Sequence, residues 1–137
     1  MTPFTEMEQR VIAELEEVWE QNIFSMLNTI VDPSGDPGEV GMLQEALKSL
    51  VERGFVAMGL EEFSPREQTK LDKQAALELV SRLGEWFRFD AETSFWTLSK
   101  GDFREVRYPV ILSTAETREK AFQILDSRGY QWWRLKK

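Results

Sequence analysis

Three observations predict an α+β domain with about four helices and a small antiparallel β-meander. Apolar residues recur at spacings of three and four in four separate stretches, the pattern of amphipathic helices. Between the third and fourth stretches the pattern changes to short aromatic and β-branched runs broken by turn residues. The chain is 137 residues long, with neither an internal repeat nor a linker able to separate two units, so residues 1–137 are read as one domain.

The first stretch, Thr5 to Ile30, places Met7, Val11, Leu15, Val18, Trp19, Ile23, Met26 and Ile30 on one stripe and predicts a single long helix. Thr5-Glu6-Met7-Glu8 fits a capping box, with Thr2 before Pro3 as an alternative start. Two prolines and two glycines in Asp32–Gly38 stop that helix. Helical period returns from Glu39 to Arg53 through Val40, Leu43, Leu47, Leu50 and Val51, and Gly54 stands where a left-handed cap belongs. Phe55–Leu60 reads as a short strand.

Ser64-Pro65-Arg66-Glu67 combines a cap, a first-turn proline and a capping-box glutamate, so a third helix is predicted there, with Leu71, Ala75, Leu79 and Leu83 buried and Gly84 at its end. A three-strand meander is expected next: Phe87–Phe89, a turn at Asp90–Thr93, Phe95–Leu98, a turn at Lys100–Asp102, then Val106–Leu112. In the last strand Val106, Tyr108, Val110 and Leu112 share a face, and Pro109, which donates no ladder bond, points to a sheet edge. Ser113-Thr114-Ala115-Glu116 caps a final helix carrying Ala121, Phe122, Ile124 and Leu125 and ending near Gly129. Tyr130–Leu135 is expected as a strand or extended tail, with adjacent Trp132 and Trp133 on opposite faces, one closing the core and the other covering an edge or a dimer contact.

Composition narrows the chemistry. Cysteine and histidine are both absent, which removes disulfides, thiol catalysis, the usual zinc ligands and the imidazole base together. The expectation is a non-enzymatic protein with no catalytic residue, no metal and no cofactor. Glu14, Glu17 and Glu20 recur at intervals of three and read as a solvated helix face rather than a cation site. Ser34–Gly38 lacks the spacing of a phosphate loop, and Asp36 and Glu39 would repel an anion at the helix that follows. The segment MTPFTEMEQR has no basic region, and the apolar run Phe55–Leu60 is too short to span a bilayer, so a cytoplasmic protein without a membrane partner is expected.

Net charge is −7, unevenly distributed: residues 1–62 hold 13 acids and 3 bases, residues 63–137 hold 11 acids and 14 bases. Leu43–Val56 resembles the recognition helix of a winged helix-turn-helix domain leading into a wing strand. Val110–Phe122 resembles its last wing strand and the capped helix after it, as in MarR-like and PadR-like regulators. The two stretches cover about a fifth of the chain. The resemblance implies a winged-helix-like binding domain, a DNA partner, and a homodimer or other protein partner. It also implies contact through Lys48 and Arg53 of the second helix and Lys100, Arg104 and Arg107 of the wing. The alternative is a protein-interaction or homodimerisation module that binds no nucleic acid.

Overall fold

The computed structural model describes residues 3–62, 67–130, 132 and 133. Thr5 starts α1 (Glu6–Val18) through the expected capping box, its Oγ1 accepting from Glu8 N while its own N–H donates to the Glu8 carboxylate. The helix stops at Trp19 and does not run to Ile30. Trp19 takes φ 65°, donates its N–H to Leu15 O at 2.7 Å, and leads into β1 (Glu20–Asn22). Asn22 then caps α2 (Ile23–Ile30) by accepting from Ser25 N at 2.7 Å. Periodicity hid this break because Ile23, Met26 and Ile30 stay in phase with α1 and are all buried.

The loop expected at 32–38 is shorter: Asp36, with Pro37 at the first position, opens α3 (Pro37–Glu52), so Pro37 and Gly38 belong to the helix, a first turn being where a proline is tolerated. Gly54 follows at φ +78°, a conformation costly for any residue with a Cβ. β2 (Val56–Glu62) comes next, antiparallel to β3 (Glu67–Lys70). Glu67 therefore belongs to a strand and does not begin a helix; residues 64–66 of that expected cap lie outside the described residues. The helix begins later, as α4 (Lys73–Ser81), capped by Asp72. It buries Ala76 and Val80, continued by Leu83 in a single 3-10 turn, Leu83–Trp86. Leu71, Ala75 and Leu79 are only half-buried, so of the expected stripe Leu83 alone is in the core.

β4 (Phe87–Asp90) and β5 (Phe95–Leu98) form the expected hairpin, but the third strand leaves it. β6 (Tyr108–Ser113) is instead central in a second, antiparallel sheet of order β1-β6-β2-β3. The meander fails because β6 finds better partners far away in the chain. Pro109 lies opposite Leu60 of β2, while three-residue β1 pairs only with Val110 to Leu112. Proline is thus tolerated inside the sheet at the end of a short neighbour, not on an edge strand.

α5 (Ala115–Arg128) is capped by Thr114. Thr114 Oγ1 donates to Gly54 O at 3.1 Å and Thr117 Oγ1 donates to Phe55 O, tying this helix to the α3–β2 turn. Trp132 and Trp133 form a turn after it. Both are buried, their rings edge to face at 4.8 Å, so the expected division into one core and one surface ring does not occur. Trp133 Nε1 donates to Thr29 O and Trp132 Nε1 to Glu6 Oε1, each indole finding the partner a buried N–H requires. The core lies between α1, α2 and α3 and the inner face of the larger sheet, with Ile12, Leu15, Met26, Leu47, Met58 and Ile111 fully buried.

Candidate functional site

The five basic residues expected to touch nucleic acid do not form one free patch. Arg53 lies at the end of α3 with its guanidinium beside the edge-to-face Phe4–Phe55 pair, 4.5 and 5.2 Å from their ring centroids, and bonds Glu8 Oε2 at 3.3 Å. Arg107 pairs with Glu62 at 3.3 Å and donates to Thr69 Oγ1 at 2.6 Å, which fastens β6 to the β2–β3 hairpin. Lys48, Lys100 and Arg104 are exposed. Lys48 lies on α3, whereas Lys100 and Arg104 share the connection from β5 to β6, which crosses between two sheets and is not a hairpin tip.

On α3, Met42, Glu45, Lys48 and Glu52 are exposed, a surface with two acids to one base. The segment between β2 and β6 covers another side of the same helix. Gln44 Nε2 donates to Val80 O at 2.9 Å and to Ser81 O at 3.1 Å, so it satisfies carbonyls at the end of α4 and locks the two helices together. At the start of α3, buried Glu39 accepts from Ser34 N at 3.1 Å, Ser34 Oγ at 2.7 Å and Trp96 Nε1 at 3.0 Å. Asn28 adds a second link, exchanging bonds with both Trp96 N and Trp96 O. The β4–β5 hairpin is thereby fixed to the α2–α3 corner.

The carboxylates are dispersed. Glu14 is buried, Glu17 is exposed, and Glu20 is on β1 where it accepts from Gln68 Nε2 at 2.9 Å. Among the described residues no group of three or more acidic side chains is gathered to hold a metal ion, and no helix is long and apolar enough to cross a membrane. An open groove of about 840 Å³ separates the first turn of α1 from α3, with Met7, Val31, Met42 and Ala46 as its apolar part. Glu6 at its side accepts from Arg10, Arg128 and Trp132. Partial burial works to raise the Glu6 pKa, but these hydrogen bonds and the Arg128 charge override it and hold it at about 2.

Large apolar side chains also lie in the open elsewhere. Trp19, Phe122 and Tyr130 are 58%, 57% and 62% exposed, and the Arg118 guanidinium sits 3.4 Å from the Trp19 ring centroid. Sequence reasoning placed Trp19 in a buried stripe and Phe122 among the core residues of the last helix. Trp19 escaped because its positive φ turns it out of the helical period. For Phe122 a signal existed: a wheel centred on Ala121, Ile124 and Leu125 leaves it on the flank. Comparison with protein-family models, with curated proteins and with solved structures found no match to this chain.

Proposed function

We propose that the protein is a non-enzymatic binding domain on a winged-helix-like scaffold, and that it works through protein contacts rather than by reading DNA with α3. The scaffold reading is supported by order and pairing: a short helix α2, a turn, a longer helix α3, and then β2 paired antiparallel with β6. The segment from β3 to β5 stands between the two strands as an insertion. The observation that carries the functional reading is that α4 from this insertion lies across α3, held by Gln44. A recognition helix must enter the major groove with its side chains free to meet base edges. Here one side of α3 is occupied and Glu45 and Glu52 would face phosphates. Net charge −7 adds long-range repulsion.

Lys100 and Arg104, exposed on one connection, favour a second reading in which this loop alone touches a phosphate backbone. Fluorescence anisotropy with a labelled duplex between about 50 and 200 mM salt decides between them. The protein-contact reading expects no salt-dependent binding. A measurable slope of log K on log salt that drops by about 0.9 for each of Lys100 and Arg104 replaced by Ala would overturn it.

A further inference from the structure

The groove between the first turn of α1 and α3 runs along one side of α3. Glu39, Met42, Ala46 and Ser49 line it at spacings of three, four and three residues, so they form one stripe on that helix, about 15 Å long. Met7 and Val31 add apolar surface beside the stripe. Met7 and Met42 carry flexible thioethers that adapt to an irregular apolar ligand, and Met42 is 46% exposed. The charge lining the groove is mostly of one sign, with Glu6, Glu8, Asp32, Glu39 and Glu45 against Arg10. Arg128 and Arg53 offset Glu6 and Glu8. The two acids on α3 have no such cation among the described residues: Glu39 is held by the neutral donors of Ser34 and Trp96, and exposed Glu45 makes no ion pair.

We propose that this groove binds an amphipathic helix of a partner protein, apolar along one side and rich in lysine or arginine beside it. None of the described lining residues is in a strand, so the walls offer no sheet edge. An extended chain laid there would leave its backbone N–H and C=O groups without protein partners, whereas a helix satisfies its own. A stripe of about 15 Å matches about ten helical residues, which is room for apolar anchors at i, i+3, i+4 and i+7 against Met7, Val31, Met42 and Ala46. Bases flanking those anchors meet Glu45 at the rim and the field of Glu39, whose burial weakens screening by salt. The inference rests on the protein-contact reading above and names the class of partner.

Fluorescence anisotropy on the full chain at about 150 mM salt tests it, with three labelled peptides of about 16 residues. The first carries leucine at i, i+3, i+4 and i+7, lysine at the flanking positions and alanine elsewhere. The second replaces its lysines by glutamate, and the third its leucines by alanine. The first is expected to bind with a Kd below about 100 μM, and the other two about tenfold more weakly or worse. Glu45→Lys and Met42→Gln change exposed side chains, and circular dichroism melts show that each variant is folded. They should weaken the first peptide about tenfold and about threefold. Glu105→Lys makes the same change of net charge on the β5–β6 connection, outside the groove, and with a Debye length of about 8 Å should leave binding within about twofold. No binding of the first peptide by about 100 μM overturns the proposal, as does a glutamate or alanine peptide that binds equally well. A Glu105→Lys effect as large as that of Glu45→Lys overturns it by showing attraction that belongs to no one site. A dimer of the chain that the peptide dissociates would seat a second copy in the groove and overturn it too. A chain that ignores both peptide and duplex DNA removes the groove proposal alone; a salt-dependent DNA complex removes the protein-contact reading.

Discussion

Replacing Glu39 by Ala and by Gln should separate two things that the same carboxylate does. In the folded chain Glu39 accepts three hydrogen bonds, from Ser34 N, Ser34 Oγ and Trp96 Nε1, at the buried first turn of α3. Hydrogen bonds to a charged acceptor each contribute about 1.5–3 kcal/mol, but removing the group also relieves the cost of keeping a carboxylate out of water. Glu39→Ala leaves the Trp96 indole N–H and the Ser34 N–H without an acceptor, so a net loss of about 3–5 kcal/mol is expected. Glu39→Gln keeps the arrangement: its Oε1 accepts from Ser34 N and Trp96 Nε1, and its amide donates to a rotated Ser34 Oγ. Only charge assistance and the favourable interaction with the α3 dipole are lost, about 1 kcal/mol. Urea titration followed by far-UV circular dichroism measures both, and Trp96→Phe, which removes one donor together with part of a buried ring, should fall between them at about 1–3 kcal/mol. An Ala variant within 1 kcal/mol of the wild type, or a Gln variant as costly as Ala, would refute the argument that these bonds fasten the hairpin to α3.

Other outcomes follow from single side chains. Leu47→Ala empties a fully buried site and should cost about 2–5 kcal/mol, whereas half-buried Leu79→Ala should cost under about 1.5 kcal/mol by urea titration; a reversed order would contradict the packing of α3 and α4. Gly59→Ala drives a Cβ to 3.0 Å from Thr69 O in the neighbouring strand, and a loss of about 1–3 kcal/mol is expected, with an unchanged melt counting against that strand spacing. Because the Glu6 pKa is lowered from 4.5 to about 2, its stabilising effect is complete above 4.5 and is lost as pH falls towards 2. The stability difference between wild type and Glu6→Gln should therefore shrink across that window; a difference independent of pH would show that the Arg128 and Trp132 contacts are not made by the ionised form.

The parts legible in the sequence were those whose signals are local. Gly54 marks the end of α3, and Thr114 with Gly129 brackets α5, since caps and breakers act on the residues beside them, whereas Asp36-Pro37 was read as loop and is the start of α3. The α1–α2 break was hidden by an apolar stripe that continues across it, and only Asn22, three residues before Ser25, marked a second cap. β3 had no signal at all: Glu67, Gln68, Thr69 and Lys70 are all exposed and lack any alternation. β6 was recognised as a strand but assigned the wrong neighbour, because pairing partners such as Met58 and Asn22 are chosen by the shared core and not by proximity in sequence. Of the candidate site, the basic residues were visible and their ion pairs were not, since Glu8 and Glu62 reach Arg53 and Arg107 only through the fold.

The position of β6 also bears on when this protein can fold. Val56 pairs with Ser113 and Glu20 with Leu112, so each of these ladders must wait for a long stretch of chain, and closing such loops carries an entropy that grows with their length. During synthesis α1, α2, α3 and β2 emerge first and have no strand to complete their sheet until residue 113 has left the ribosome. The hairpin of β4 and β5 needs only its own turn and can form in the meantime. Trp132 and Trp133 arrive after β6 and α5, and until they do, Thr29 and Glu6 lack their indole partners. A nascent or truncated chain ending before β6 would expose the pairing edge of β2 together with the apolar surface beneath it, the combination that recruits chaperones or drives aggregation.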